Sequence, residues 1–154
     1  VKVETETERK YSAETIYRNV TQKKQIAEAA YEFLDDRDTI IIDDASTSFY
    51  LAQEIKNHPE KRIAVVTNSL IAGNELAGVG HVELSIATPQ MEVKKAIMKA
   101  AEKVYVLADS SKFGGGYLSV ICPTNEVDKI ITDDGVSKED IQKAKELDIP
   151  LVIA

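Results

Sequence analysis

Six short runs restrict what this chain can fold into: TIIID, RIAVVT, HVELSIA, KVYVLAD, DKIITD and IPLVIA. Each is rich in β-branched residues and nearly continuous in apolar ones. That is the pattern of strands covered on both faces, as in a parallel sheet. Helical patterns lie between them: SFYLAQEIKN, SLIAGNELAG, MEVKKAIMKAAE and SKEDIQKAKEL. Ahead of the first strand, NVTQKKQIAEAAYEFL places Ile26, Ala29, Ala30, Phe33 and Leu34 at helical intervals. Strand alternating with helix predicts an α/β fold, layered, with a mostly parallel sheet flanked by helices and right-handed crossovers. The 154 residues show no internal repeat or low-complexity tract and are read as a single domain, 1–154. The opening VKVETETERK reads as a linker or an edge strand.

One junction is too short. HVELSIA runs straight into TPQMEVKKAIM, where Thr88 reads as an N-cap and Pro89 as the first helical residue. A strand-to-helix connection takes a few residues, and almost none remain here. Either the strand ends early or a segment is absent between Ala87 and Thr88.

Charge and composition narrow the function. The net charge is −7, from 26 acidic and 19 basic residues. That sign opposes a nucleic-acid backbone, although a local cationic cluster can still hold a small anion. Two histidines, His58 and His81, and one cysteine, Cys122, do not make a zinc site of ordinary spacing, and no metal or cofactor is expected. The lone cysteine excludes an internal disulfide and fits a reducing cytoplasm. No apolar run reaches membrane-spanning length, and the first residues lack the apolar core of a signal peptide.

Four strands end on small polar residues: IIIDDASTS, VVTNS, VLADSSK and IITDDG. In a parallel sheet the carboxyl ends share one edge, and ligands bind just outside them. This gathers Asp43, Ser46, Thr47, Ser48, Thr67, Asn68, Ser69, Asp109, Ser110, Ser111 and Lys112 towards one rim. Hydroxyls, an amide, carboxylates and a lysine together suit a polyhydroxylated anion. DDASTSFYLA turns from strand into a helix starting near Thr47 or Ser48, and its first N–H groups with three hydroxyls form an anion cradle. The competing reading is that these residues cap helices, as every strand-to-helix turn requires. Asn68 and Ser137 fit a cap, and Ser137 with Asp140 resembles a capping box. No nucleophile–base pair emerges, so no catalytic residue is assigned. Lys94 and Lys95 begin a helix face with Lys99 that a solvated surface would also explain.

RNVTQKKQIAEAA, DTIIIDDASTSFYLAQEI, IAVVTNSLIAGNEL, EVKKAIMKAAEKVYVLADSSKFG and VDKIITDD together resemble the C-terminal effector-binding domain of DeoR-family transcriptional regulators. The likeness covers most of the chain from Arg18 to Asp134. It implies a fold similar to ribose-5-phosphate isomerase and the coenzyme A transferases, and a sensor for a phosphorylated sugar that controls an attached helix-turn-helix. By the same likeness, Asp43 to Ser48 cradle the sugar phosphate and Thr67 to Ser69 line the pocket. Lys94 matches a lysine on the helix that closes the site, while Asp109, Ser111 and Lys112 match a motif beside the substrate in sugar-phosphate isomerases. It also implies a homodimer or homotetramer, with DNA contacted only through the helix-turn-helix, which these residues lack.

The chain departs from the family pattern in places. Ala45 stands where many members have glycine, and the acidic pair usual one turn before Lys94 is either replaced by the Gln90 region or displaced. The family also carries several tens of residues at the short junction, including a double-glycine turn, a strand and an aspartate-containing loop. The alternative functions are a sugar-phosphate isomerase using Glu92 as base, and an oligomerisation domain whose polar strand ends are only caps.

Overall fold

The computed structural model describes residues 13–87, 100–113 and 126–154. The opening segment, the stretch MEVKKAIM expected to be helical, with Thr88, Glu92 and Lys94, Cys122, and the glycines at 114–116 lie outside the described residues.

Two helices come first, α1 (Ala13–Ile16) and α2 (Val20–Tyr31). The buried stripe of α2 is Lys23, Ile26, Ala27, Ala30 and Tyr31, which follows helical spacing but begins with a lysine. Phe33 departs from the expected stripe because the helix ends before it. It lies exposed, edge-on to Tyr105 at 5.8 Å, with Lys129 Nζ 4.0 Å above its ring.

The chain then alternates as the runs predict: β1 (Thr39–Ile42), α3 (Ser46–Asn57), β2 (Ile63–Thr67), α4 (Leu70–Leu76) and β3 (Val82–Ile86). These strands pair in the order β1-β2-β3, all parallel, with Ile42, Thr67 and Ile86 level at their carboxyl ends. Further on come β4 (Tyr105–Leu107), a 3₁₀ turn (Ser110–Lys112), β5 (Lys129–Thr132), α5 (Lys138–Glu146) and β6 (Leu151–Ile153). They form a second parallel sheet, ordered β4-β5-β6. The parallel α/β architecture is as read from the sequence, but among the described residues strand pairing gives two three-stranded sheets.

One core serves both. Ile26, Ala30, Tyr50, Leu51, Ile55, Ile63, Val65 and Leu76 cluster between α2, α3, α4 and the first sheet, and Ile131 joins them from β5. The opposite face of the first sheet is less covered than the apolar runs suggest. Side chains alternate across a strand, and Thr39, Ile41, Glu83 and Ser85 on that face are exposed. Only β2, the central strand, is protected along its length, because β1 and β3 are edges of that sheet.

Both histidines serve the fold. His58 closes α3 between Glu54 and Glu60, each 2.8 Å from a ring nitrogen, and His81 Nε2 lies 2.8 Å from the Ile55 carbonyl. Among the described residues no helix is long and apolar enough to cross a membrane.

Ile131 couples the second sheet to the core and is fully buried. Ile131→Ala is expected to cost about 2–5 kcal/mol by urea denaturation. Ile153→Ala, at a half-exposed position (48%), is expected to cost less than about 1 kcal/mol.

Candidate functional site

The turn after β4 is built around two buried carboxylates. Asp109 caps it, accepting the Ser111 N–H at 3.2 Å and the Ser111 hydroxyl. It also accepts Asn19 Nδ2 at 3.1 Å, and the same amide reaches Ser111 Oγ at 3.3 Å. Asn19 is placed for this by a left-handed backbone (φ 55°), which asparagine tolerates better than most residues. Asp133, from the end of β5, accepts the Ser110 N–H at 2.6 Å, Ser110 Oγ at 2.8 Å and the Gly135 N–H at 3.0 Å. Burial pushes the Asp133 carboxyl up, but the Ser110 and Gly135 donors outweigh it, and the carboxyl sits below the ordinary aspartate value.

The end of β1 is organised differently. Asp43 Oδ1 accepts the Ser48 hydroxyl at 2.6 Å. Helix α3 begins at Ser46, one residue ahead of the expected start, and its N-cap is Ala45, whose methyl accepts no hydrogen bond. Thr47 is buried in that first turn, while Ser46 and Ser48 are half-buried. At the end of β2, Thr67 Oγ1 accepts the Ser69 N–H at 3.0 Å, and Ser69 caps α4 by accepting the Ala72 N–H at 3.3 Å. Ser69, not Asn68, is therefore the cap. Asn68 Oδ1 is shut away from solvent without a hydrogen-bond partner among the described residues. Ser137 caps α5 through the Asp140 N–H at 3.1 Å and donates its hydroxyl to the Asp140 carboxylate at 2.6 Å, so the two residues pair as expected, both bonds running through the Ser137 hydroxyl.

Sequence reasoning missed Lys23. It is 2% exposed, and its ammonium donates to the Thr15 carbonyl. Burial pushes its pKa down; the Asp109 carboxylate works against this, and the charges of Lys112 and Arg18 add to it. The available signal was its position, one helical turn before Ile26 on the buried stripe of α2. The structure thus brings Asp109, Ser111 and Lys112 together with Asn19, Lys23 and Arg18. It sets Asp43 against Ser48 and keeps Thr67, Asn68 and Ser69 at the neighbouring strand end. The stretch from Thr15 to Asn19 links the parts: Lys23 holds Thr15, Tyr50 of α3 donates to the Ile16 carbonyl at 2.8 Å, and Asn19 meets Asp109. Among the described residues no group of three or more histidine, cysteine, aspartate and glutamate side chains is placed to hold a metal ion.

The profile of the DeoR C terminal sensor domain matches this chain over residues 18–92 and 83–134. The chain belongs to that family. As a DeoR sensor domain it is a ligand-sensing regulatory domain, and the match spans the same residues that carry the resemblance. Similar proteins include the uncharacterized HTH-type transcriptional regulator YulB of Bacillus subtilis, 25% identical over 183 aligned positions covering 86% of this chain and 70% of that protein. The HTH-type transcriptional regulator IolR of B. subtilis is 25% identical over 178 positions, with coverages of 86% and 70%. GolR of Listeria innocua, also an HTH-type transcriptional regulator, is 24% identical over 184 positions, with coverages of 90% and 72%. Among solved structures, the Pyrococcus horikoshii OT3 translation initiation factor eIF-2B aligns with 81% of this chain at 20% identity and a TM-score of 0.47, and the chain spans 52% of its length.

Two substitutions test the Asp133 clamp. A Cβ on Gly135 would lie 2.6 Å from Ser110 Oγ and 2.8 Å from Asp133 Oδ2. Gly135→Ala is therefore expected to destabilise by about 1–3 kcal/mol, whereas a Cβ on Gly80 meets nothing within 4 Å, and Gly80→Ala should be neutral. Because the folded pKa of Asp133 lies below its unfolded value, its contribution is present above the unfolded pKa and is lost as pH falls through the folded one. Denaturation series below about pH 4 should show this acid loss in the wild type and a flatter profile in Asp133→Asn.

Proposed function

We propose that the strand-end rim of this sensor domain binds a phosphorylated sugar and that binding alters the DNA affinity of an attached helix-turn-helix. The observation that carries the reading is the Lys23 ammonium, 2% exposed and bonded to the Thr15 carbonyl, whose pKa is lowered chiefly by burial and further by Lys112 and Arg18, against the Asp109 carboxylate. The Asp109 carboxylate offsets only part of the burial cost, and a phosphate dianion would favour all three cations together. The uncapped first turn of α3 supplies N–H donors beside the Ser46, Thr47 and Ser48 hydroxyls. Lys94, on the stretch after β3, is assigned to the same site by the family motif.

The net charge of −7 disfavours DNA contact by these residues themselves, and the relatives named above are HTH-type regulators. The reading is therefore a cytoplasmic switch, working as a homodimer or homotetramer, that needs no cofactor. A tenfold difference in ligand affinity between its two states, about 1.4 kcal/mol, is enough to bias them. The domain is read as a sensor rather than an enzyme. Of the strand-end carboxylates, Asp109 and Asp133 are buried in structural hydrogen bonds and Asp43 accepts the Ser48 hydroxyl, while Glu92, the base of the isomerase alternative, lies outside the described residues.

Thermal unfolding with ribose 5-phosphate, glucose 6-phosphate and fructose 6-phosphate checks this. A ligand at a hundredfold its Kd adds about 2.7 kcal/mol, a rise of roughly 5–10 °C for a domain of this size. Lys23→Met keeps the apolar stem but removes the buried charge and its bond to the Thr15 carbonyl, so it should unfold at a lower midpoint without ligand and show no rise with it. Lys112→Ala should lose it as well. Variants that respond like the wild type would place the anion elsewhere.

A further inference from the structure

We propose that residues 15–19, which join α1 to α2, are the element through which this sensor reports a bound anion: the anion fastens them, and α1 with them. The inference rests on the phosphate site proposed above. Three ties converge on this short stretch, each from a different element of that site. Asn19 Nδ2 donates to Asp109 at 3.1 Å and to Ser111 at 3.3 Å, at the turn that carries Lys112. Lys23 of α2 donates to the Thr15 carbonyl. Tyr50 donates to the Ile16 carbonyl at 2.8 Å from one helical turn after Ser46, the start of α3.

The middle of the stretch is not anchored by side chains in the core. Tyr17 is 75% exposed and Arg18 is exposed beside it. Asn19 holds a left-handed backbone (φ 55°), which its bonds to the β4 turn support from outside. Arg18 also bears on the site itself, since its charge and that of Lys112 both act on Lys23. An anion shared by these three cations would therefore fix groups within the stretch and on either side of it.

The coupling has a definite sign. While residues 15–19 are fastened, Lys23 and the β4 turn are held in place, and preorganised groups bind an anion more tightly than mobile ones. Reciprocity follows: whatever loosens the stretch weakens the anion, and the anion makes the stretch harder to open. Tyr50 gives access to this linkage, because its hydroxyl holds the end of α1 without belonging to the anion site.

Tyr50→Phe removes that hydroxyl and keeps the buried ring. Tyr31→Phe is the control, since it removes another tyrosine hydroxyl donated to a backbone carbonyl, that of His58 at 3.4 Å. The probe is whichever of ribose 5-phosphate, glucose 6-phosphate and fructose 6-phosphate raises the unfolding midpoint of the wild type most. By isothermal titration, Tyr50→Phe is expected to raise its Kd at least about fivefold and Tyr31→Phe less than about twofold. By hydrogen exchange, the saturating ester should slow the amides of residues 17–23 at least about fivefold more than those of α5. Wild-type affinity in Tyr50→Phe, an equal loss in both variants, or exchange at 17–23 slowed no more than in α5 would overturn the inference and leave the phosphate site standing. If none of the three esters shifts the midpoint, the phosphate site falls and the inference falls with it.

Discussion

A buried carboxylate keeps its charge only when donors replace the water it has lost. Asp133 and Asp109 draw most of those donors from a single short turn. Asp133 pins Ser110 from the neighbouring strand, while Asp109 ties Ser111 to Asn19 at the start of α2. Lys112 is positioned by that double anchoring and Lys23 by the helix that Asn19 begins. The cationic end of the site therefore depends on two acids that need not touch a ligand. Short polar residues after a strand can serve function by fixing geometry as well as by contact.

The alternation of apolar runs and helical patterns made the parallel α/β architecture legible, because strand and helix periods are imposed by backbone geometry alone. The strand ends were legible for the same reason, as was the Ser137–Asp140 pair. Other features depend on tertiary partners that no spacing reveals. Asp109 and Ser111 read as rim residues, but folding turns them inward to Asn19, ninety positions away from Asp109 in the chain. Lys23 was hidden because an apolar stripe is found by looking for apolar residues, and a long stem can occupy one such position while its ammonium finds a carbonyl. The second face of the first sheet looked covered because edge strands and central strands can have the same composition. Thr67 and Ser69 are part of the capping arrangement of α4, which supports the plainer of the two readings for those positions.

The proposed anion-binding end, made from a helix start, a turn and two lysines, comes from α2, α3 and the β4 turn. The segment from Thr15 to Asn19, held by Lys23, Tyr50 and Asp109, lies between the anion end and the amino-terminal side of the chain. An anion bound at Lys23, as proposed, would act directly beside that segment.

The central claim is that Lys23 is a buried cation kept for an anion. The most direct measurement is an NMR titration of its side chain, in the free domain and saturated with glucose 6-phosphate. The account predicts a Lys23 pKa below the ordinary lysine value in the free protein and a clear rise when the phosphate ester is bound. A Lys23 pKa that is the same in both states, under conditions where binding is independently measured, would contradict it.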